Sequence, residues 1–263
     1  MRALYKYYII AKVSFSNAVA YRASVFSGLC FYTLFIYIFM SLWHAIYKEG
    51  SVNGYSVVQI VWYLIMTELV AFGCRTSIYS SMNDDVKSGS IAYLMGRPTH
   101  YVFYQFANSI GSIMLNLICF GALAVILGFI FAGPLTTFAI YSLPFVLLSM
   151  ILGIIINFFF LMMIGLTAFV IEDNFAIFLI YQKFTFMLGV FLPIEFLPSW
   201  LQGIARNLPF SYVAWAPAKL FVSFTWSMFF NLITRQIIWA AAVIWLTMLI
   251  YQVGVRKLQA NGG

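Results

Sequence analysis

Residues 98–171 read PTHYVFYQFANSIGSIMLNLICFGALAVILGFIFAGPLTTFAIYSLPFVLLSMILGIIINFFFLMMIGLTAFVI and contain no Asp, Glu, Lys or Arg. A helix needs about 20 apolar residues to cross the roughly 30 Å hydrocarbon layer of a membrane. This stretch is therefore too long for one crossing, and Gly133-Pro134 divides it because proline cannot continue a helix. We predict two membrane-spanning helices in it, at about residues 103–131 and 138–170.

The rest of the chain is similarly apolar. Of its 263 residues, 64% are hydrophobic and 8% are charged, whereas about a quarter of the residues in a soluble domain are charged. A water-soluble fold of this length cannot cover so much apolar surface. Composition therefore excludes a soluble enzyme, a disordered chain and a cytosolic binding module. Because the apolar runs are continuous rather than alternating, helices are favoured over a membrane barrel.

The sequence predicts an all-α integral membrane protein with one transmembrane domain, residues 1–263, and six spans. The four spans outside the charge-free stretch are expected at about residues 23–47, 55–81, 174–192 and 236–255. The second of these has to continue past Glu68 and Arg75 to be long enough for a crossing.

Basic residues indicate which way the chain faces. An even number of spans places both termini on one side, and Lys and Arg concentrate on the cytoplasmic side. Segments 1–22, 82–103 and 256–263 contain eight Lys and Arg residues, against four in segments 47–55 and 193–236. Both termini are therefore predicted to be cytoplasmic, in a plasma or inner membrane. This distribution also explains the net charge of +7, so we expect no nucleic-acid partner.

Residues 1–22 are expected to form an amphipathic helix that lies on the lipid bilayer at its inner surface. On a helical wheel the polar residues share one broad arc: Arg2, Lys6, Lys12, Ser16 and Asn17. Apolar residues face the other way: Leu4, Tyr8, Phe15 and Val19. The alternative is a plain cytoplasmic lead into the first span.

Residues 84–98, DDVKSGSIAYLMGRP, predict a two-turn cytoplasmic helix between two spans. Ser90 can cap the amides of its first turn. Gly96 suits a left-handed exit, and Pro98 forbids continuation. The apolar residues share one face that needs the bilayer or a docked partner to receive it: Ile91, Leu94 and Met95.

Residues 193–235 follow the fifth span, and their first part is too apolar for a solvated loop and too rich in proline for a span. Irregular backbone is not tolerated against lipid, so this segment has to pack against protein or line a cavity. We expect a half-inserted, re-entrant helical hairpin near the outer surface, with its aromatic residues near the head groups: Trp200, Tyr212, Trp215 and Trp226. Glu195 either serves an exit gate or orients the hairpin through hydrogen bonds. The candidate gate residues are Pro193, Glu195, Pro198 and Trp200.

Three charged residues inside predicted spans are candidates for the translocation path: Glu68, Arg75 and Lys183. A charge near the bilayer centre is costly unless it is paired or hydrated, so these side chains should face the bundle interior or a cavity. The alternative is a structural polar clamp in which Glu68 pairs with Arg75 or Lys183. His44 and His100 are isolated, and the sequence shows no catalytic or metal-binding constellation.

Two motifs make the chain resemble an ABC-2-type permease, the membrane subunit of a bacterial ATP-driven exporter. One is the loop Lys87-Ser88-Gly89-Ser90-Ile91-Ala92…Leu94…Arg97-Pro98. The other is the outer stretch Leu192-Pro193…Leu197-Pro198-Ser199-Trp200-Leu201. Together with the six spans and the amphipathic start, the resemblance covers nearly the whole chain.

The resemblance implies a half-transporter that pairs with a second permease chain, identical or related. Each permease would bind a separate ATP-binding cassette subunit, and ATP and Mg would bind on that partner. This chain is expected to be non-catalytic and to bind no cofactor, since it contains no G-x-x-x-x-G-K-[ST] phosphate loop. The ATPase-coupling residues implied by the family are Asp84, Asp85, Val86, Lys87, Ser88, Gly89, Ser90, Ile91, Ala92, Leu94, Arg97 and Pro98.

The expected function is export of a hydrophobic or amphipathic cargo from the cytoplasm, driven by the partner ATPase. A secondary transporter or channel, which needs no ATPase, is one alternative. A polytopic membrane enzyme that modifies lipids is another, and the near absence of His and Asp clusters on the inner face disfavours it.

Overall fold

The computed structural model describes residues 2–20, 22–46, 54–96, 99–171 and 174–261, and these residues are mostly helical. In chain order the helices are α1 (Arg2–Ala20), α2 (Arg22–Ile46), α3 (Val57–Gly73), α4 (Ile78–Lys87), α5 (Ser90–Met95), α6 (Tyr101–Phe131), α7 (Leu143–Leu166), α8 (Phe175–Thr185), α9 (Ser199–Ala205), α10 (Ser211–Val222) and α11 (Trp226–Asn261).

Within the described residues, five helical segments are long and apolar enough to cross a membrane: Ala23–Ile46, Val57–Lys87, Tyr101–Phe131, Ile140–Phe169 and Trp226–Arg256. The segment predicted as a span at 174–192 is a shorter apolar helix, Phe175–Val190, whose last part, Phe186–Val190, is π-helical. It falls short because the chain bends at Pro193, which cannot continue a helix.

The bundle is built around α3, in which every residue from Ile60 to Val70 is buried. Helix α3 packs on α2, α6 and α10, while α7 packs on α10 and α11. The start of α6 lies close to α5, and His100 and Tyr101 contact the ring of Tyr251 in α11, which packs against the same cluster as Ile91 of α5. We refer to this end of the bundle as the α5 end.

The second span differs from the continuous helix predicted over 55–81. Helix α3 stops at Gly73, and α4 starts at Ile78 and continues to Lys87. The hydroxyl of Thr76 accepts a hydrogen bond from the Ile78 amide at 3.2 Å and donates one to Ser109 at 3.1 Å. Such side-chain bonds to the local backbone compete with helix formation, which accounts for the break.

Helix α1 lies within the segment predicted as an N-terminal helix, residues 1–22, and packs along the start of α6. Tyr7 contacts the ring of Phe103, and the Ser14 hydroxyl donates a hydrogen bond to the carbonyl of Asn108. Lys6 and Lys12 are exposed, but so are apolar residues on the remaining surface, such as Leu4. Its placement on a bilayer stays a prediction.

Helices α9 and α10, joined by residues 206–210, lie in the segment predicted as a re-entrant hairpin, and we keep the name hairpin for residues 193–222. The re-entry of this segment into a membrane stays a prediction. The segment is shorter than the predicted 193–235, because α11 already begins at Trp226 and includes Arg235. Helix α10 is enclosed by protein, with all residues from Ser211 to Ala218 buried. This arrangement satisfies its backbone without contact to lipid.

Candidate functional site

The turn between α4 and α5 depends on Gly89. Its φ of +73° lies in the left-handed region, where a side chain would be strained. Gly89 also precedes α5 as its N-cap, so the predicted capping by Ser90 is wrong. The predicted left-handed exit at Gly96 is wrong as well, because Gly96 has φ −69° and the left-handed residue comes before the helix.

Asp85 fastens this turn to the first turns of α6. The hydroxyl of Tyr101 donates a hydrogen bond to one carboxylate oxygen of Asp85 at 2.5 Å, and the Gln105 amide donates to the same oxygen at 3.3 Å. The other oxygen accepts a bond from the Ser90 hydroxyl at 3.0 Å. The carboxylate therefore holds α4, α5 and α6 in one fixed arrangement.

The apolar face of α5 is received by the chain itself rather than by the bilayer or a partner. Ile91 is fully buried, and it packs in a core cluster with Met82, Tyr101 and Val102, against which Leu94 also packs. The sequence alone does not show what covers this face, because the covering residues belong to other helices, α4 and α6. The exposed surface of the turn consists of Asp84, Lys87, Ser88, Gly89, Ser90, Ala92 and Tyr93. Val86 is half-buried, and the predicted residues Arg97 and Pro98 lie outside the described residues.

The charged residues of the predicted path do not form the alternative clamp. Glu68 is 3% exposed, and its Oε1 has no hydrogen-bond partner in the described part of the chain. Arg75 lies beyond the end of α3, exposed, with its guanidinium 5.9 Å from the ring centre of Phe72. Neither Arg75 nor Lys183 forms an ion pair with Glu68. The break at 74–77 removes Arg75 from the helical face that the clamp required.

Arg75 and Lys183 instead line one cavity of about 430 Å³. It lies between the α3–α4 break and helices α7, α8 and α10, and Glu68 is not part of its lining. Arg75 and Lys183 therefore line the same cavity, whereas Glu68 is buried in the core.

Glu195 makes an ion pair that the sequence did not reveal. Its Oε1 lies 3.0 Å from the ammonium of Lys219 in α10, and the Tyr55 hydroxyl donates a hydrogen bond to Oε2 at 3.1 Å. Lys219 in turn donates to the Tyr55 hydroxyl at 2.6 Å. Lys219 is the only Lys or Arg in α10. A single cation in an otherwise apolar helix indicates a nearby acid, and this was the signal in the sequence that could have found the pair.

The protein environment favours the charged form of Glu195. Burial by itself raises the pKa of this carboxyl, but the positive charge of Lys219 and hydrogen bonds from Lys219 and Tyr55 outweigh it. The pKa is therefore lowered from its ordinary value of 4.5. The ion pair joins two parts of the hairpin segment, and the Tyr55 hydroxyl links this pair to the residues that precede α3. The two roles predicted for Glu195, as a gate and in orienting the hairpin, stay predictions.

Acidification is expected to weaken this junction. Because the folded protein has the lower pKa, the stabilisation is fully present above the unfolded value and is lost as pH falls through the folded value. Glu195→Gln should lower the free energy of unfolding by about 1–3 kcal/mol at neutral pH, between the values for exposed and buried pairs. It should also flatten the pH dependence of thermal unfolding below about pH 5.

Asp84→Asn is the control for this measurement, because it removes an exposed acid at the α5 end. It should leave the acid-induced drop in the unfolding midpoint intact. Parallel pH curves for wild type and Glu195→Gln would contradict the role assigned to the ion pair.

The hairpin is also anchored in the middle of the bundle. The Gln236 amide of α11 donates hydrogen bonds to the carbonyls of Ser149 in α7 and Tyr212 in α10, both at 2.9 Å. A Cβ on Gly153 of α7 would overlap the carbonyl oxygen of Val213, so the two helices meet at backbone distance there.

The other predicted hairpin residues have distinct positions. Pro193 and Pro198 each precede a short helix, at Ile194–Phe196 and at α9. Trp200 and Trp226 are exposed, 68% and 50%, whereas the other two aromatic residues expected near head groups, Tyr212 and Trp215, are buried in protein. No group of His, Cys, Asp and Glu that could hold a metal occurs in the described residues.

A family model described as ABC-2 family transporter protein matches residues 31–262. Comparison with curated proteins gives no match. The family match covers most of the chain, including the first span-capable helix from residue 31 onward and the other four in full. Members of this family are multi-pass membrane transport components that generally work with ATP-binding subunits. The chain therefore belongs to the ABC-2 family of transporter proteins.

Proposed function

We propose that the chain is the permease subunit of an ATP-driven exporter. It pairs with a second permease chain, identical or related, and each permease binds a separate ATPase that carries ATP and Mg. The proposal includes Phe175–Val190 as a sixth, shorter crossing, both termini in the cytoplasm, and the plasma or inner membrane as its location. The cargo is hydrophobic or amphipathic. Family membership supports the general role, and the α5 end supports the coupling.

The main support for this proposal is that α5 exposes one face and is packed against α4 and α6 on the other. A helix that transmits movement has to be exposed to its partner and rigidly joined to the spans that it moves. Helix α5 meets both conditions, because Tyr93 is 75% exposed while Ile91 is fully buried. The hydrogen bonds of Asp85 tie the preceding turn to α6. A push on the exposed face would therefore reach α4 and α6 as a rigid-body displacement.

At the opposite end, the Glu195–Lys219–Tyr55 cluster gives the outer gate a physical basis. It links the hairpin to the start of α3, the helix at the centre of the bundle. Movement of α3 relative to α10 would strain this cluster, and its rupture would release the hairpin. Pro193, Pro198 and Trp200 complete the proposed gate: Pro193 precedes the short helix Ile194–Phe196, Pro198 precedes α9, and Trp200 is exposed on α9.

Purification of the tagged chain in mild detergent tests the assignment directly. We expect an ATP-binding cassette subunit to copurify, and transport by membrane vesicles to stop when ATP is depleted. Absence of any nucleotide-binding subunit, together with transport that continues without ATP, would favour a secondary transporter or channel instead.

A further inference from the structure

Arg75 and Lys183 are unusual among the basic residues of this chain. The remaining Lys and Arg residues lie in segments outside the predicted spans, and among them Lys219 in α10 is paired with Glu195. These two lie within the predicted spans, and the fold places both on the same cavity of about 430 Å³. A position so costly for a cation calls for a compensating anion.

The protein does not supply that anion from its described residues. The side chains lining the cavity include no Asp or Glu. Among the described residues, Glu195–Lys219 is the ion pair found, and no side-chain hydrogen bond is made by Arg75 or Lys183. Both side chains are exposed, so a ligand can reach them. A second cavity of about 460 Å³ shares Arg75 and Thr76, and its lining has no acid either.

The rest of the cavity is part polar and part apolar. Asn157 is held in place, since its Oδ1 accepts a hydrogen bond from the Tyr181 hydroxyl at 2.8 Å. Its amide points towards the Cys74 carbonyl at 3.5 Å. Phe178 and Phe186 contribute apolar walls. The cavity therefore offers cations and fixed polar groups beside a surface suited to hydrocarbon.

The position of the cavity indicates from which side a ligand arrives. Thr76 of its lining is bonded to Ser109, which lies about 12 Å along α6 from Tyr101 at the α5 end. Helix α6 extends about 46 Å in total. Arg75, the neighbour of Thr76, thus lies in the part of the bundle nearer to α5, and Lys183 shares its cavity, so a ligand would enter from the α5 end.

We propose that this cavity binds the anionic head group of an amphipathic molecule, a phosphate or carboxylate, with Arg75 and Lys183 as its counter-charges. The apolar part of the molecule lies along the aromatic wall. This inference narrows the cargo class of the proposed exporter to anionic amphiphiles and rests on that function. Arg75 supplies a planar guanidinium that can hold two oxygens, and Lys183 supplies a point charge.

Binding of short-chain phosphatidic acid to the purified complex tests the proposal. The complex, reconstituted in nanodiscs of phosphatidylcholine, is titrated with fluorescent dioctanoyl phosphatidic acid in the absence of ATP. Arg75→Gln and Lys183→Gln should each weaken saturable binding at least about tenfold, as expected for loss of one charge-assisted contact. Lys183→Arg, which preserves the charge, should retain most of the affinity. Arg75→Lys should lose less affinity than Arg75→Gln, because it keeps the charge but loses the planar guanidinium, and both variants also report on folding.

A surface-charge variant and a set of competitors show whether the affinity comes from this cavity and from an amphiphile rather than a free anion. The Lys6→Gln, Lys12→Gln double variant removes two positive charges from exposed α1, one more than either single glutamine variant, and should still change binding less than about twofold, because screened surface charges contribute little. Dioctanoyl phosphatidylcholine should not compete. Inorganic phosphate should compete only weakly, and competition equal to that of the lipid would overturn the amphiphile in favour of a free-anion site.

Unchanged affinity in both glutamine variants, each folded and bound to its ATPase, would overturn the site while leaving the exporter assignment intact. Conversely, charge-dependent lipid binding by a chain that brings down no ATPase would support the site and remove the exporter assignment. The two proposals can therefore fail separately.

Discussion

Gly89→Pro is expected to abolish coupling between ATP hydrolysis and transport while the chain still inserts into the membrane. Proline fixes φ near −65°, whereas Gly89 has φ +73°, and proline lacks the N–H that bonds the Val86 carbonyl at 3.2 Å. The turn has to refold, at a local cost of about 3 kcal/mol or more. Helix α5 would then leave the pocket that buries Ile91.

The expected result in proteoliposomes is a fall of transport to background, with basal ATPase activity retained. Gly133→Pro is a matched control, because Gly133 also has positive φ, +74°, and its N–H also bonds a backbone carbonyl, that of Gly128. It lies between α6 and α7, at the end opposite α5. Comparable loss of coupling in both variants would show that the damage is general and not specific to α5.

Gly153→Leu is expected to have the largest effect on stability. At this position α7 touches the backbone of Val213 in α10, and even a Cβ does not fit there. Overpacking a tight core typically costs about 1–3 kcal/mol, and here backbone atoms rather than a flexible side chain block the space. Helix α10 should be displaced, and the Gln236 bonds that join α7, α10 and α11 should break.

Thermal unfolding in detergent measures this effect, with Gly121→Leu as the control. Gly121 is also a glycine inside a long helix, α6, but a Cβ there meets nothing within 4 Å. The control should unfold at or above the wild-type temperature, because leucine is a better helix former than glycine. An equal drop for both variants would contradict the close approach of α7 and α10.

The sequence was sufficient for features that depend on composition along a single segment. Apolar runs located the five long helices, although the second had to be extended past Glu68 and Arg75, since the bilayer imposes length and hydrophobicity on each helix separately. The combination of Pro193, Pro198 and apolar residues indicated a segment that is neither a span nor a solvated loop, and short helices lie there. In both cases the constraint acts locally, so it is visible without knowledge of packing.

The features that were missed depend on contacts between distant segments. The break after Gly73 is stabilised by Ser109 of α6, and Glu195 finds Lys219 only after the hairpin has folded back. Likewise, the sequence predicts an external partner for the apolar face of α5, whereas Met82 and Tyr101 of the flanking helices cover it. A helical wheel shows which residues share a face but not what covers that face.

Direct contact between α5 and the ATPase is the central requirement of the proposed coupling. A photo-crosslinking amino acid at position 93, where the native tyrosine is 75% exposed, tests that contact in the intact complex. The same group at position 200, 68% exposed on the hairpin, is the control. We predict a crosslink to the ATP-binding subunit from position 93 and none from position 200; a crosslink from position 200 alone would contradict the account.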